Sequence, residues 1–540
     1  MALGAVALAW ALPMQSVGCG QNAHYAATRS FAEGHPYVDR YAQQTCDLVH
    51  RGAHYYAAKG PALDFWAAPW YLALRAVHLV PRDHNVGMRY PAAMAGVPLR
   101  AVWQIGLWAV VLPGVLLLVL VRRIADEVEP GTGVAVAVVL GLGTLVLPFA
   151  TLLFAHVPAA LLAFASFALL FRRRSPLAAG VCAGLAVSTD LPLLVIAGAL
   201  LVYAWRRAIP FVLGAAVGAI PLFAFGIWAF GNPLRLAYSG AAIDPGAGGV
   251  EQAHVHDLFF TLTSPHPHIA VQVLLSKRGL VTLSPVVAAA AAGVVLLWRR
   301  GLRAEAALVG ALAVVEVGWH AFRPDYQLAL GGWVPGPRFL VSLLPFLAFA
   351  LAPVVRRAPA TFAALAAISV GAMSVATSAE PLLSNDDTHH WIARIADGNF
   401  AATVLTLAGV GHGWLAILPF YAFVLVAVLA AAAATRVAVT RRDLVTAAAA
   451  VLAWLVVAHG APELLHVDDL VRQSWGAVAA LLLAAGAGWA VARLRLAGLL
   501  LLPFGLLGFD RHTKWAVLVA LLALAAMAAA PRLRRAPGPA

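Results

Sequence analysis

Long apolar runs alternate with short polar breaks along nearly the whole chain. The runs lie near 2–17, 101–121, 132–150, 155–171, 176–189, 191–204, 209–230, 279–298, 304–322, 339–355, 359–377, 414–434, 443–459, 475–492, 495–509 and 514–530. They are unbroken and do not alternate every second residue as barrel strands do. Each therefore reads as a helix that satisfies its own backbone hydrogen bonds. A bilayer crossing takes about 20 apolar residues. The pattern predicts an all-α fold, a polytopic transmembrane bundle of about sixteen helices with extracytoplasmic loops. The runs 176–189 and 191–204 are short for a crossing and suggest a hairpin seated against protein in place of lipid. The start, from Met1 to Gly18, has no basic leading region and reads as a short first helix in place of a cleaved signal peptide.

The polar breaks are of two kinds. With the N-terminus in the cytoplasm, the inner breaks hold Arg122–Arg123, Arg172–Arg173–Arg174, Arg206–Arg207, Arg299–Arg300–Arg303, Arg356–Arg357, Arg436 with Arg441–Arg442, Arg493 with Arg495, and Arg532 with Arg535. Every tight arginine cluster falls on that side, as the positive-inside rule expects, and both termini are then cytoplasmic in an inner or plasma membrane. The outer breaks, 18–100, 231–278, 323–338, 378–413 and 460–474, carry instead most of the His, Asp, Tyr and Trp outside the helices. Loops of that kind usually have a task, which places function on the extracytoplasmic face.

Composition supports the membrane reading. Of 540 residues, 62% are hydrophobic and 11% charged, where a soluble domain carries about a quarter charged. The net charge of +13 would suggest nucleic acid in a soluble protein. Here orientation accounts for it, and no nucleic-acid partner is expected. Three cysteines form no CxxC pattern. Cys19 and Cys46 both fall in the first outer loop, where an oxidising environment allows a bridge that spacing alone cannot establish.

The first outer loop has the densest polar chemistry. Asn22 to Glu33 suit a helix at the membrane surface, with Ala27 and Phe31 toward the apolar side. Asp39, Asp47, His50, Arg51, His54, Tyr55, Tyr56 and Lys59 crowd into about twenty residues, and Trp66, Trp70 and Tyr71 suit an interfacial belt. A carboxylate there can take a proton from an attacking hydroxyl, and a nearby cation can hold a departing phosphate. A merely solvated loop explains the same charges.

Gly52, His54–Tyr55–Tyr56, Lys59 and Pro61, followed by Ala68–Pro69, resemble the first extracytoplasmic loop of the GT-C superfamily of membrane glycosyltransferases, especially bacterial relatives of the family 39 and aminoarabinose-transferase type. Further segments are similar in order. They are 143–170 with His156 at an outer turn, 179–195 with Asp190 at a hairpin tip, 265–287 with Lys277–Arg278–Gly279, and 328–353 with Gly331–Gly332–Trp333 and Gly336–Pro337–Arg338. The resemblance covers roughly 18–357 and implies a GT-C-like catalytic module over 1–357, with C-terminal helices of unknown role over 358–540. One departure is plain. Many relatives have an acidic residue directly after the first helix, where this chain has Gln21–Asn22.

The resemblance implies a polyprenyl-phosphate-linked sugar as donor and a hydroxyl acceptor on a glycan, lipid or protein, met among membrane lipids. Asp39 or Asp47 is then the expected catalytic base. Lys59, Arg338, Lys277 and Arg278 are the expected phosphate partners, and His54, Tyr55, Tyr56 and Trp333 further expected substrate-binding residues, of which Tyr55 and Trp333 suit stacking on a sugar face. Each has a plainer alternative. Lys277–Arg278 suit the start of a helix, Arg338 suits snorkelling, and Asp190 suits a cap. His156 and Glu316 are ionisable residues at membrane depth, which makes them functional candidates, and a hydrogen bond to a neighbouring helix accounts for either equally plainly. No cofactor is expected. His254, His256, Asp257, His266 and His268, and likewise Asp386, Asp387, His389 and His390, look like metal ligands but share no firm helical face. Asp468–Asp469 suit a helix start near Trp475. A transporter or flippase of lipid-linked glycans, a surface-polysaccharide polymerase or ligase, and a membrane scaffold remain open. Transporters tend to place their charges near the midplane, whereas here they gather at one surface.

Overall fold

The computed structural model describes residues 1–80, 97–172, 174–237, 241–243, 251–254, 264–379, 381–382, 389–435 and 437–464. The runs 475–492, 495–509 and 514–530 lie outside the described residues. So do His256, Asp257, Asp386, Asp387, Asp468, Asp469, Trp475, Arg173, Arg436, Arg493, Arg495, Arg532 and Arg535, together with the side chains of His254, His389 and His390.

The described chain is dominated by helix, with six short strands. Among the described residues, five helices are long and apolar enough to cross a bilayer, or seven if each of two bent pairs counts as one span. This is fewer than the about sixteen crossings read from the sequence. Three of the runs lie outside the described residues, several others are helices shorter than a full crossing, and some are broken where hydropathy registers nothing. The run 279–298 is cut at Pro285 into Leu280–Leu283, a 3-10 turn and Ala289–Arg299, since proline removes a backbone donor. The run 209–230 divides at Pro221 into Ala208–Gly218 and Ile220–Phe230. The run 132–150 divides into Gly133–Leu142 and Val146–Ala150. The run at 339–355 is a continuous span, Arg338–Arg357.

Pro176–Thr189 is helical as expected, but its close partner is Ala208–Gly218 and not the intervening Leu194–Tyr203. Gly180 and Gly184 on one helix face Gly214 and Gly218 on the other, four residues apart in each case. A Cβ on any of the four would run into the opposite backbone: Gly180 into the carbonyl of Phe211, Gly184 into that of Ala215, Gly214 into that of Leu177, and Gly218 into that of Val181. Such small-residue stripes let two backbones approach within van der Waals reach. Ser188 adds a hydrogen bond to the Gly218 carbonyl at 3.1 Å. The contact fixes where Pro176–Thr189 ends, and therefore where Asp190 stands.

Helices before and after residue 357 share one core. Gly413–Ala434 packs along Ala2–Ala11, and strand Pro13–Met14 pairs antiparallel with Ala402–Thr403. Trp10, Leu118, Phe164, Phe349, Phe362, Ile417 and Phe420 all lie in that core.

Residues 18–80 fold against the bundle. Cys19–Ala32 is a helix, as Asn22 to Glu33 suggested, but protein covers it on almost every side. Phe31 rests on Phe65, Phe225 and Trp228. Arg29 is sandwiched between the rings of Tyr25 and Tyr41 and bonded to Gln44. Leu48–Arg51 and His54–Ala57 form an antiparallel hairpin extended by Ala241–Ile243 and Glu251–His254. Cys19 and Cys46 are joined by a disulfide, with Cα atoms 5.2 Å apart. Trp66 and Trp70 stack on Trp108, while Tyr71 is buried.

Replacing Gly184 by leucine is expected to push the two helices apart, since overpacking costs about 1–3 kcal/mol. The thermal unfolding midpoint of the purified protein should fall by several degrees. An unchanged midpoint would mean that the helices are not seated this closely.

Candidate functional site

Register brings the first two groups together. Leu48 pairs with Ala57 at the open end of the hairpin, and Ala58 donates its N–H to the Asp47 carbonyl at 3.1 Å. Asp47 and Lys59 are therefore neighbours just beyond the last strand pair, and Lys59 Nζ donates to Asp47 Oδ2 in an ion pair. The disulfide holds Cys46, one residue away, to the start of the protein-covered helix Cys19–Ala32. Thr45 Oγ1 donates to the Cys19 carbonyl at 2.7 Å and accepts from Asp47 N at 3.1 Å.

Lys59 borders a cleft enclosing about 580 Å³ of empty space, counting solvent at its mouth. The walls come from six separate stretches: His24; Ala58, Lys59 and Gly60; Phe154, Ala155 and His156; Thr189, Asp190 and Pro192; Arg323; and Arg338 with Phe339. A Cβ on Gly60 would meet the carbonyls of Ser188 and Thr189 within 3 Å. This close approach sets the Lys59 segment against the end of Pro176–Thr189. Gly331, at φ +93°, takes a left-handed turn that L side chains rarely adopt, and the Arg338 side chain lies across it. Arg338 faces the rings of Phe154 at 5.7 Å and Phe339 at 5.2 Å. Arg323 lies over Trp319 at 4.0 Å.

Two histidines that line the cleft are each paired with a carboxylate; Asp190 also lines it, and Asp64 lies behind His24. His156 Nδ1 is 2.7 Å from Asp190 Oδ2, and His24 Nδ1 is 2.9 Å from Asp64 Oδ1. Burial pushes the Asp47 carboxyl up, but Lys59 and Arg338 outweigh it and hold the group below the ordinary carboxylate range. Burial pushes the Asp64 carboxyl up, against the opposing pull of His24. The cleft thus presents three cationic side chains, two imidazoles and a carboxylate, an arrangement able to hold a phosphate group and to move a proton beside it.

The residues expected from the sequence divide between this cleft and two other places. Lys59 and Arg338 border it, with Asp47 directly behind Lys59. Asp39 does not border it. At the turn end of the hairpin, Asp39 accepts from Tyr55 N at 2.6 Å and lies 2.6 Å from His54 Nδ1. The strands are four residues long, which separates their ends by about 10 Å. His54 stacks on Tyr37 at 4.0 Å, Tyr55 packs beside His50, and Tyr56 is buried against Phe230 with its hydroxyl donating to the Ala229 carbonyl. Arg278 is fully buried and donates to the Val334 carbonyl at 2.9 Å and to Gln327 Oε1 at 3.2 Å. It braces the loop that carries Arg338. Lys277 is half-buried outside the cleft lining, and Trp333 is 54% exposed there. Gln21 and Asn22, at the place of the relatives' acidic residue, hold the loop. Gln21 bonds to Ser16 and Leu153, and Asn22 to Gln44. His266 and His268 lie ring to ring at 5.7 Å, and no group of three potential metal ligands occurs among the described residues.

Three lining or supporting residues escaped the sequence reading: His24, Asp64 and Arg323. Arg323 carried a usable signal, a cation directly after an apolar run on the side that the positive-inside rule leaves poor in cations. His24 and Asp64 are 40 residues apart and carried none.

In comparisons with known proteins, no family model, curated protein or solved structure matches the chain.

The low pKa of Asp47 gives a pH test. Its folded value lies below the ordinary 3.8, so the carboxylate's contribution is complete above that value and is lost as pH falls through the depressed one. Asp47→Asn should therefore lower the unfolding midpoint by the same amount from about pH 8 to about pH 5, with the gap closing only below about pH 4. A gap that closes near neutrality would contradict the assignment.

Proposed function

We propose that the protein is a membrane glycosyltransferase of GT-C type, moving a sugar from a polyprenyl-phosphate donor to a hydroxyl acceptor on the extracytoplasmic face. The observation that carries the reading is the meeting of Lys59, Arg338 and Arg323 with His24, His156 and Asp190 in one cleft. These residues lie as far apart in sequence as the segments that resemble the GT-C loop, hairpin and late arginine stretch. A phosphate leaving group is a weak base and needs positive neighbours more than it needs a proton. Lys59 and Arg338 would hold it, and the buried Asp47 keeps the Lys59 ammonium in place. Within this reading the chain is a polytopic plasma- or inner-membrane protein of about sixteen helices.

The face rests on two further supports. The arginine clusters fall on the opposite side under positive-inside counting. A disulfide between Cys19 and Cys46 suits an oxidising compartment. In intact cells a membrane-impermeant maleimide should label neither cysteine before reduction and both after it. Labelling before reduction would argue against the disulfide, and protection from the impermeant reagent after reduction would argue against the outer face.

The activity is tested with the full-length protein in proteoliposomes, a panel of radiolabelled polyprenyl-phosphate sugars and cell-envelope extract as acceptor. Wild type should transfer label. Lys59→Ala and Arg338→Ala should each lower transfer by about 10²-fold, the usual loss when one preorganised charge is removed from a transition state. Asp39→Asn, at the far end of the hairpin, should transfer within a few-fold of wild type. Movement of the labelled donor across the vesicle membrane without any transfer would favour a flippase.

A further inference from the structure

Glycosyl transfer to a hydroxyl needs a group that accepts the hydroxyl proton, and the carboxylates nearest the first loop are poor choices. Asp47 is committed to Lys59, and Asp39 is bound to His54 and Tyr55 N outside the cleft. Asp64 is buried behind His24. The opposite wall offers something different. His156 stands at the first turn of His156–Phe171, and Asp190 follows the end of Pro176–Thr189. The glycine-packed helix pair fixes that end, and the helix Pro176–Thr189 also packs on His156–Phe171.

Building on the transferase reading, we propose that His156, oriented by Asp190, is the catalytic base for the acceptor hydroxyl. A carboxylate can only accept, so the 2.7 Å contact puts the proton on Nδ1 and leaves the Nε2 lone pair as acceptor. Among the described residues, no side chain or carbonyl takes Nε2, and His156 lines the cleft. Its plane is held by rings on three sides: Phe154 stacked at 5.7 Å, with Phe149 at 5.4 Å and Phe339 at 6.1 Å meeting it edge-on. Arg338 and Lys59 line the same cleft as His156, so the base shares it with the groups assigned to the phosphate. His24 makes a similar pair with Asp64, yet it is 1% exposed where His156 is 6% exposed. His24 is the less accessible of the two.

In the step itself the acceptor oxygen bonds to the anomeric carbon as its proton passes to Nε2. The bond from that carbon to the phosphate oxygen breaks, and its electron pair leaves on the polyprenyl phosphate between Lys59 and Arg338. Asp190 balances the imidazolium until the proton is released to water. Asp190 is a positioning residue, since it acts through His156.

The experiment uses the same full-length protein, labelled donors and envelope extract, with donor capture measured by filter binding. His156→Ala is expected to lower transfer by about 10²–10⁴-fold, to capture donor as wild type does, and to regain part of its activity when imidazole is added. Asp190→Asn is expected to slow transfer by about 10–100-fold with donor capture unchanged. Lys59→Ala is expected to lose donor capture, so the two kinds of defect separate. Transfer by His156→Ala at the wild-type rate overturns the proposal. So does loss of donor capture in both His156→Ala and His156→Gln without relief by imidazole, because that pattern marks a packing role. A wild-type protein that transfers from none of the donors overturns the transferase reading itself, and this inference with it.

Discussion

A charge at the rim of an apolar bundle is tolerable only with its partner in place. The Asp47–Lys59 ion pair is where this constraint shapes the protein most. The pair closes the open end of the first-loop hairpin, with Leu48 opposite Ala57. It sets Lys59 against the helix end at Thr189 through Gly60, and it sits one residue from the disulfide that ties the loop to the helix Cys19–Ala32. Moving the hairpin by one residue would send alternate side chains to the other face. Asp47 and Lys59 would then lose each other, and two charges would be stranded where water is scarce. The same rule explains the pairing of His24 with Asp64 and of His156 with Asp190.

The remaining walls are held by packing that has little chemistry of its own. Four glycines on Pro176–Thr189 and Ala208–Gly218 bring the two backbones close and aim Asp190 at the cleft. Buried Arg278, through its bonds to Val334 and Gln327, braces the loop from which Arg338 reaches across Gly331. The residues that touch the empty space are thus few. Those that place them are spread over most of the first 340 positions. This division gives the charges of the cleft rigid support, and preorganised charges can act without rearrangement.

Much of the site was legible piece by piece. Lys59, Arg338, His156 and Asp190 all stood out as polar residues at the edges of apolar runs, on the side poor in arginine clusters. Asp39 stood out equally and lies elsewhere, because density of polar residues along the chain does not say which end of a hairpin they occupy. Arg278 looked like a phosphate partner beside Lys277 and is a buried brace, since a guanidinium satisfied by a carbonyl and an amide reads the same in sequence as one waiting for a ligand. His24 with Asp64 was invisible, being a contact between two helices of one folded loop.

Hydropathy by itself determined that this chain is helical and apolar enough for lipid, and it located most of the helices, because burial in hydrocarbon demands uninterrupted runs with internal hydrogen bonding. It did not decide how many runs cross in one piece, since Pro285 and Pro221 break helices without altering mean hydropathy. Nor did it decide which polar residues meet. That depended on strand register, on a disulfide and on glycine-to-backbone contacts. All three act between positions tens of residues apart, where only the folded chain brings one atom within reach of another.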